Sequence, residues 1–458
     1  MAEDYCLRCI MDHIEKKILS VIDENRDRII EYGRDIWAYP ELGYKEFKTS
    51  KKFLNLMEEL GIPTKTDLAI TGAKGYLKGM DAKGRNIAII GELDALPIKD
   101  GPYSNKETGA SHSCGHNAQM AGMMGAALAL SVPEVKDALD GNVTFFAVPS
   151  EEFVEIEFKN GLMKEGKIGY GGGKSELIRI GAFDDIDIAV GHHIMPGSEI
   201  AISNHRSNGF VNKIVKYNGV SSHAAEAPFN GVDAVSAASL AQTALNFQRE
   251  SFRDKDTVRV HGFISSGGEA MNVIADKSVM EFSVRANNIP AILDADKKFD
   301  RAMRAGAVGT GCGMEIITMP GYLPMVPMDD TRAIDEAMAD VAGEYDYHVQ
   351  PDPGCLEGGS TDLGDVSQLL PTLCFNTGGY DRTLHDKCMH PIDEELAYIV
   401  TAKVFALTAY KLLKNGAEYA EDIKKNHHPN MTKAQYIAYM EARNTVETMD
   451  MEIQRVEE

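Results

Sequence analysis

Three short, largely apolar runs, residues 86–91 (NIAIIG), 143–148 (VTFFAV) and 186–191 (IDIAVG), each end directly at a group of acids or histidines. Such runs, rich in β-branched residues and lacking polar alternation, are the pattern of strands covered on both faces, as in a sheet sandwiched between helices. The first is followed by Glu92-Leu93-Asp94-Ala95-Leu96-Pro97, the second by Pro149-Ser150-Glu151-Glu152 and the third by His192-His193-Ile194-Met195-Pro196. Functional groups of α/β proteins collect at the carboxyl ends of their strands, so the three groups are expected to converge on one cleft.

The intervening sequence fits that class. Residues 120–130, rich in Ala, Met and Leu, have helical composition, which gives the order strand, loop, helix, strand of an α/β domain. Helical periodicity runs over 12–38 and 46–60, stopped by Tyr39-Pro40-Glu41-Leu42-Gly43 and by Gly61-Ile62-Pro63. From 206 to 319 the texture changes to alternating strands at 211–217, 258–264 and 279–286, with helices near 232–247 and 292–305. The order β-α-β-β-α-β describes a ferredoxin-like α+β unit. A chain of 458 residues exceeds one ordinary core. The economical division is a discontinuous catalytic domain, 1–205 and 320–458, with a mixed sheet flanked by helices, interrupted by an inserted dimerisation or lid domain at 206–319. A long helix is expected at 393–413, and 417–458 reads as a charged helical extension whose His427-His428 pair sits on the surface.

Forty-seven basic against 69 acidic side chains give a formal charge of -22, which repels phosphate backbones and excludes a nucleic-acid partner held by counterion release. The first residues include Glu3 and Asp4, with no basic segment leading into an apolar one, and no run of eighteen apolar residues occurs; a soluble cytoplasmic protein with no membrane partner is the expectation. Seven cysteines, an odd number, argue against a disulfide framework. Cys6 and Cys9 lack the second pair that a closed zinc site needs, and read as ordinary thiols on a helix.

Metal chemistry enters with Ser113-Cys114-Gly115-His116-Asn117. Gly115 lets the backbone turn tightly enough for Cys114 and His116 to face one ion. A thiolate with an imidazole suits Zn²⁺, and Mn²⁺, Co²⁺ or Ni²⁺ are also compatible. Alone, this triplet reads equally as a buried thiol beside a loop histidine; its companions change the balance. Adjacent Glu151 and Glu152 at a strand end can divide two tasks, one binding metal while the other takes a proton from water. His193 is preferred to His192 because it lies three residues before Pro196.

The ordered set Asp94-Ala95-Leu96-Pro97, Cys114-Gly115-His116, Glu151-Glu152, His193-x-x-Pro196, Ser222-His223-Ala224-Ala225-x-x-Pro228 and Gly268-x-x-x-Asn272-Val273-Ile274-x-Asp276 resembles the aminoacylase and metallocarboxypeptidase family. Within it, the chain is most similar to the amidohydrolase subfamily that includes hippurate hydrolases, indole-acetyl amino-acid hydrolases and aminobenzoyl-glutamate hydrolase. The likeness spans residues 25–415, and Gly359-Ser360-Thr361-Asp362-x-Gly364-Asp365-Val366-Ser367 is similar to the aminobenzoyl-glutamate branch.

That resemblance implies two divalent metal ions per chain held by Cys114, His116, Glu152, His193 and a late histidine, with Cys114 bridging. His385 and His390 compete for the last place; the subfamily's eight-residue spacing to an Asp-Glu-x-Leu helix start, here Asp393-Glu394-Glu395-Leu396, selects His385. Asp94 is implied to hold a metal-binding side chain by hydrogen bonding, and Glu92 stands where relatives often carry aspartate. Glu151 is implied as general acid and base. His223 is implied as the donor to the oxyanion, often in the partner subunit's site, and Asn272 and Arg285 as substrate contacts. The turn with Gly359, Ser360 and Thr361 is implied to receive a substrate carboxylate. The activity so implied is hydrolysis of an amide bond in an N-acyl or N-aroyl amino acid, such as p-aminobenzoyl-glutamate, by a homodimer. The alternatives are a dipeptidase on unusual dipeptides and a non-catalytic subunit paired with a related chain.

Overall fold

In the computed structural model, described over residues 11–202, 206–345, 347–350 and 358–451, the chain divides into two compact units. Cys6 and Cys9 lie outside the described residues. The first unit comprises Met1–His205, Val326–Cys355 and Asp365–Asn430, and the second Arg206–Met325, Leu356–Gly364 and Met431–Glu458.

Strands are numbered in chain order. The first unit holds β1 (Thr64–Leu68), β2 (Gly72–Tyr76), β3 (Arg85–Glu92), β4 (Gly141–Val148), β5 (Ile188–Pro196) and β6 (Glu199–Ile202). The second holds β7 (Gly209–Asn218), β8 (Arg259–Gly267), β9 (Lys277–Ala286) and β10 (Gly313–Pro320). The chain then returns to the first unit with β11 (His348–Gln350) and β12 (Thr372–Tyr380), and ends in the second with β13 (Thr445–Met449).

The first sheet runs β1-β2-β4-β3-β5-β12-β6-β11. Its centre is parallel, β4 with β3, β3 with β5 and β5 with β12, while β1, β2 and β6 join antiparallel. The central strands therefore discharge their carboxyl ends at one edge of the sheet, where the acids and histidines lie. Every residue of β4 is buried, as expected of a strand covered on both faces. Helix His116–Leu130 is buried throughout, its small residues permitting close approach: a Cβ on Gly125 would lie 2.7 Å from that of Ala402. The segment Glu395–Leu413 is long and apolar enough to cross a membrane, but beyond the part-exposed Glu395 it is buried and packs against that helix as core. Its first turn, Glu395–Val400, is π-helical. The periodic stretch 12–38 is two helices, His13–Glu24 and Arg26–Ala38, because the Asn25 side chain turns back onto the Val21 carbonyl at 2.8 Å and competes with the backbone ladder.

The second unit has the sheet order β13-β10-β7-β9-β8, all antiparallel where paired, with helices Ala234–Gln248 and Ile289–Thr310 on one core. Its first four strands and two helices have the expected ferredoxin-like order. Three segments differ from the sequence reading, which placed them in the catalytic domain; the first, 320–325, continues the second unit beyond β10. Residues 356–364 group with the second unit, where the Asn208 N–H and side-chain amide donate to the carbonyls of Gly359 and Gly358 at 3.0 and 3.2 Å. The C-terminal segment from Met431 does so as well. It is not purely helical: β13 pairs with β10 from Met314↔Met449 to Thr318↔Thr445, and Glu447 takes a bidentate ion pair from Arg304 at 2.5 Å. The sequence TVETM, half exposed and without clean alternation, carries little strand signal on its own.

This strand covers an edge that would otherwise present open N–H and C=O groups for pairing with another chain. Deleting 445–458 is expected to lower the melting temperature, by about 2–4 °C per kcal/mol lost, and to produce concentration-dependent association. Thermal melts and sedimentation velocity check both outcomes.

Candidate metal centre

Gly115 precedes helix His116–Leu130 at φ 76°, in the left-handed region, and a Cβ there would lie 2.2 Å from Ile194 Cγ1. The tight turn puts Cys114 and His116 on the same side, beside the ends of β3, β4 and β5. Cys114, His116 and His193 place one ligand atom each within 4.8 Å of one another; Cys114, Glu152 and His385 form a second such set, and Glu92, His116 and Glu151 a third. The five residues implied as ligands thus fall into two donor sets that share the Cys114 sulfur.

The ring nitrogens are assigned by their second contacts. His116 Nδ1 faces the Asp94 carbonyl at 2.9 Å and its carboxylate at 3.2 Å, which turns Nε2 into the cleft. His193 Nδ1 donates to the Ile194 carbonyl at 2.8 Å, leaving Nε2 3.3 Å from Cys114 Sγ. His192, its neighbour on β5, points to the other face, between Phe375 and Phe405, with Nε2 2.8 Å from Thr377 Oγ1. His385 Nε2 lies 3.5 Å from Glu152 Oε1, and its backbone N–H donates to the Ser113 carbonyl at 2.7 Å. His390 is engaged elsewhere, with Nδ1 3.0 Å from Asp381 and 3.1 Å from the Cys388 carbonyl. Asp94, wholly buried, also accepts the Glu152 N–H at 2.9 Å, so one carboxylate braces donors of both sets.

The donor set fits divalent ions. His116 Nε2 and Glu152 Oε1 are buried with no hydrogen-bond partner among the described residues, although buried polar atoms are ordinarily paired. Burial, and then the Glu152 carboxylate, push the Cys114 thiol well above its usual range, so a thiolate there needs a cation. Burial opposes charge on His116, yet Glu92, then Cys114 and Asp94, hold its pKa well above the ordinary value. Burial and the neighbouring His116 lower that of His193. Burial opposes ionisation of Glu152 too, but the His385 ring beside it keeps its pKa low.

The other implied residues lie in the second unit. His223 is exposed, and its Nδ1 accepts the N–H groups of Ala225 and Glu226 at 3.2 and 3.0 Å. That arrangement fixes the proton on Nε2. Asn272 is tied to the same loop, its carbonyl accepting the Ala224 N–H at 2.9 Å. Arg285 stacks over Phe210 at 4.8 Å and donates to Ser360 Oγ at 3.3 Å. Gly359 is exposed, while Thr361 Oγ1 accepts the Leu363 N–H at 3.2 Å. Sequence reading missed Lys174 and Gln119, which both bind Glu92; the Gly171-Gly172-Gly173-Lys174 run was the available signal for the first.

Similarity to known proteins places a chain with this geometry. The model of Peptidase family M20/M25/M40 matches residues 88–411. The chain is 26% identical over 432 residues to the Xaa-Arg dipeptidase of Mus musculus, covering 88% of this chain and 90% of the mouse protein. It is 26% identical over 384 residues to one of the subunits of the p-aminobenzoyl-glutamate hydrolase of Escherichia coli K12, covering 80% and 71% respectively. A dinuclear metal-binding M20 peptidase from Bacillus subtilis superposes with a TM-score of 0.61 at 22% identity, covering 85% of this chain and 99% of that one. The chain belongs to peptidase family M20/M25/M40, and is a metal-dependent hydrolase of amide or peptide bonds.

Proposed function

We propose that this hydrolase cleaves the amide bond of an N-acyl or N-aroyl amino acid, or of a small peptide, that carries a free carboxylate. The observation that carries the reading is the pair of donor sets sharing Cys114, with Glu151 beside Glu152 at the same strand end. Cys114, His116 and His193 would hold one divalent ion, and Cys114, Glu152 and His385 the other. When bound, two such ions acidify water and polarise a carbonyl. Zn²⁺ and Mn²⁺ are the ions the donors favour, with Co²⁺ and Ni²⁺ compatible.

Glu151 takes the proton from the attacking water and returns it to the departing nitrogen, a carboxylate acting first as base and then as acid. His223 offers Nε2–H to the developing oxyanion, since its Nδ1 is occupied by two backbone donors. Arg285, oriented by Phe210 and Ser360, supplies the positive charge for the substrate carboxylate, with Asn272, Gly359 and Thr361 as neighbouring polar groups. The protein acts as a homodimer, and a related second chain is a further partner, suggested by the E. coli relative's being one subunit of its hydrolase.

Metal analysis paired with a substrate panel tests the reading. The panel holds p-aminobenzoyl-glutamate, N-acyl amino acids and dipeptides, including Xaa-Arg, assayed before and after chelation. Near two ions per chain and chelator-sensitive cleavage of N-acyl or N-aroyl amino acids are expected. Cleavage confined to dipeptides favours the dipeptidase alternative, toward which the mouse relative points. Absence of metal after reconstitution defeats the assignment of the five ligands.

A further inference from the structure

Glu92, at the end of β3, is buried, and its contacts are unusual for a carboxylate beside a candidate metal site. One oxygen, Oε1, receives the ammonium of Lys174, itself wholly buried; the other, Oε2, accepts from Gln119 Nε2 at 2.7 Å. The Gln119 amide oxygen in turn accepts the Glu92 N–H at 3.2 Å. Both carboxylate oxygens are thus held, and Gln119 grips the Glu92 backbone as well. So held, Oε2 lies 3.1 Å from His116 Nε2.

A carboxylate near a metal-binding histidine ordinarily serves the other ring nitrogen, fixing the tautomer from outside. That place is taken, since His116 Nδ1 already faces Asp94. Glu92 sits on the coordinating side. The 3.1 Å approach is not a hydrogen bond, because His116 Nε2 has no hydrogen-bond partner among the described residues. A ring nitrogen and a carboxylate oxygen held this close, with no hydrogen bond between them, are placed to share a cation that displaces the ring's proton. With metal–nitrogen and metal–oxygen bonds of about 2.1 Å, a 3.1 Å separation corresponds to an angle of about 95° at the ion, within the range of ordinary coordination.

Building on the two-ion reading, we propose that Glu92 is a sixth protein ligand, joining the ion held by His116, and that Lys174 and Gln119 are positioning residues that hold its carboxylate there. The Lys174 charge offsets that of the added carboxylate, so the ligand is gained with little change in the net charge of the centre.

The test is X-ray absorption and anomalous diffraction on the zinc-loaded full-length protein, with metal titration of wild type and E92Q. Glu92 Oε2 is expected at about 2.0–2.2 Å from the ion bound to His116, and E92Q is expected to weaken one of the two ions at least tenfold while retaining the other. Glu92 beyond bonding distance of an ion that His116 binds, or unchanged affinity for both ions in E92Q, overturns the proposal. Where E92Q, by removing the carboxylate that faces the buried Lys174 ammonium, fails to fold, as judged by circular dichroism of the metal-free protein, E92Q/K174M removes the buried charge and gives the same readings. Wild-type protein that binds no ions defeats the two-ion reading itself; wild type with two ions and Glu92 out of reach defeats only this inference.

Discussion

Replacing Glu151 with glutamine is expected to lower kcat by about 10²–10⁴-fold, the usual contribution of a general acid–base group, and to leave the metal content unchanged. Glutamine keeps the size and hydrogen-bonding reach of the side chain but cannot accept a proton from water. The site makes this a discriminating change, because Glu151 lies close to a candidate ligand: its Oε2 is 3.9 Å from His116 Nε2, and it belongs to the third donor set. If Glu151 were itself a ligand, E151Q would lose an ion as well as turnover. Glu152→Gln supplies the contrast, since it should release the ion shared with His385. Elemental analysis and steady-state kinetics on both variants separate the roles, and E151Q with wild-type kcat would falsify the assignment of the base.

Loss of metal as well as activity is expected from Cys114→Ala. Cys114 is common to both donor sets, so its removal should deplete both ions, whereas His193→Ala or His385→Ala should each deplete one. Metal catalysis is worth several kcal/mol of transition-state stabilisation, so activity should fall by on the order of 10³-fold or more. Binding to the native state also stabilises it, by about 2.7 kcal/mol at a ligand concentration of 100 Kd. The variant should therefore lose the rise in melting temperature that metal gives the wild type. Calorimetry with and without metal, alongside elemental analysis, provides the check; an alanine variant that retains two ions would show that the sulfur is not shared.

Much of the centre was legible because it lies where chain direction and strand order already constrain it. The runs before Glu92, Glu151 and His193 have no polar alternation, which marks β3, β4 and β5 as central, and their parallel pairing delivers the residues just beyond each strand to one edge. His192 and His193 separate by the two-residue period of a strand, one into the Phe375–Phe405 core and one toward Cys114. The edges were less legible. In β1 and β2, TKTDL and GAKGY hold too few apolar residues to announce strands, and they gain their place by pairing with each other and with β4. The Lys174–Glu92 contact spans 82 residues and depends on side-chain reach, which no local pattern encodes. The late strand β13 is of the same kind, defined by the partner it finds.

That late strand bears on synthesis. A ribosome releases the chain from the amino end, and domains form as their residues emerge, at about 5–20 residues per second. From Pro320, where β10 ends, to Thr445, where β13 begins, 125 residues must still be made. At that pace the flank of β10 waits about 6–25 s for its own partner. During that interval the newborn second unit is a four-stranded sheet seeking a fifth, so translation speed over residues 321–445 governs how long neighbouring nascent chains can compete for the vacancy.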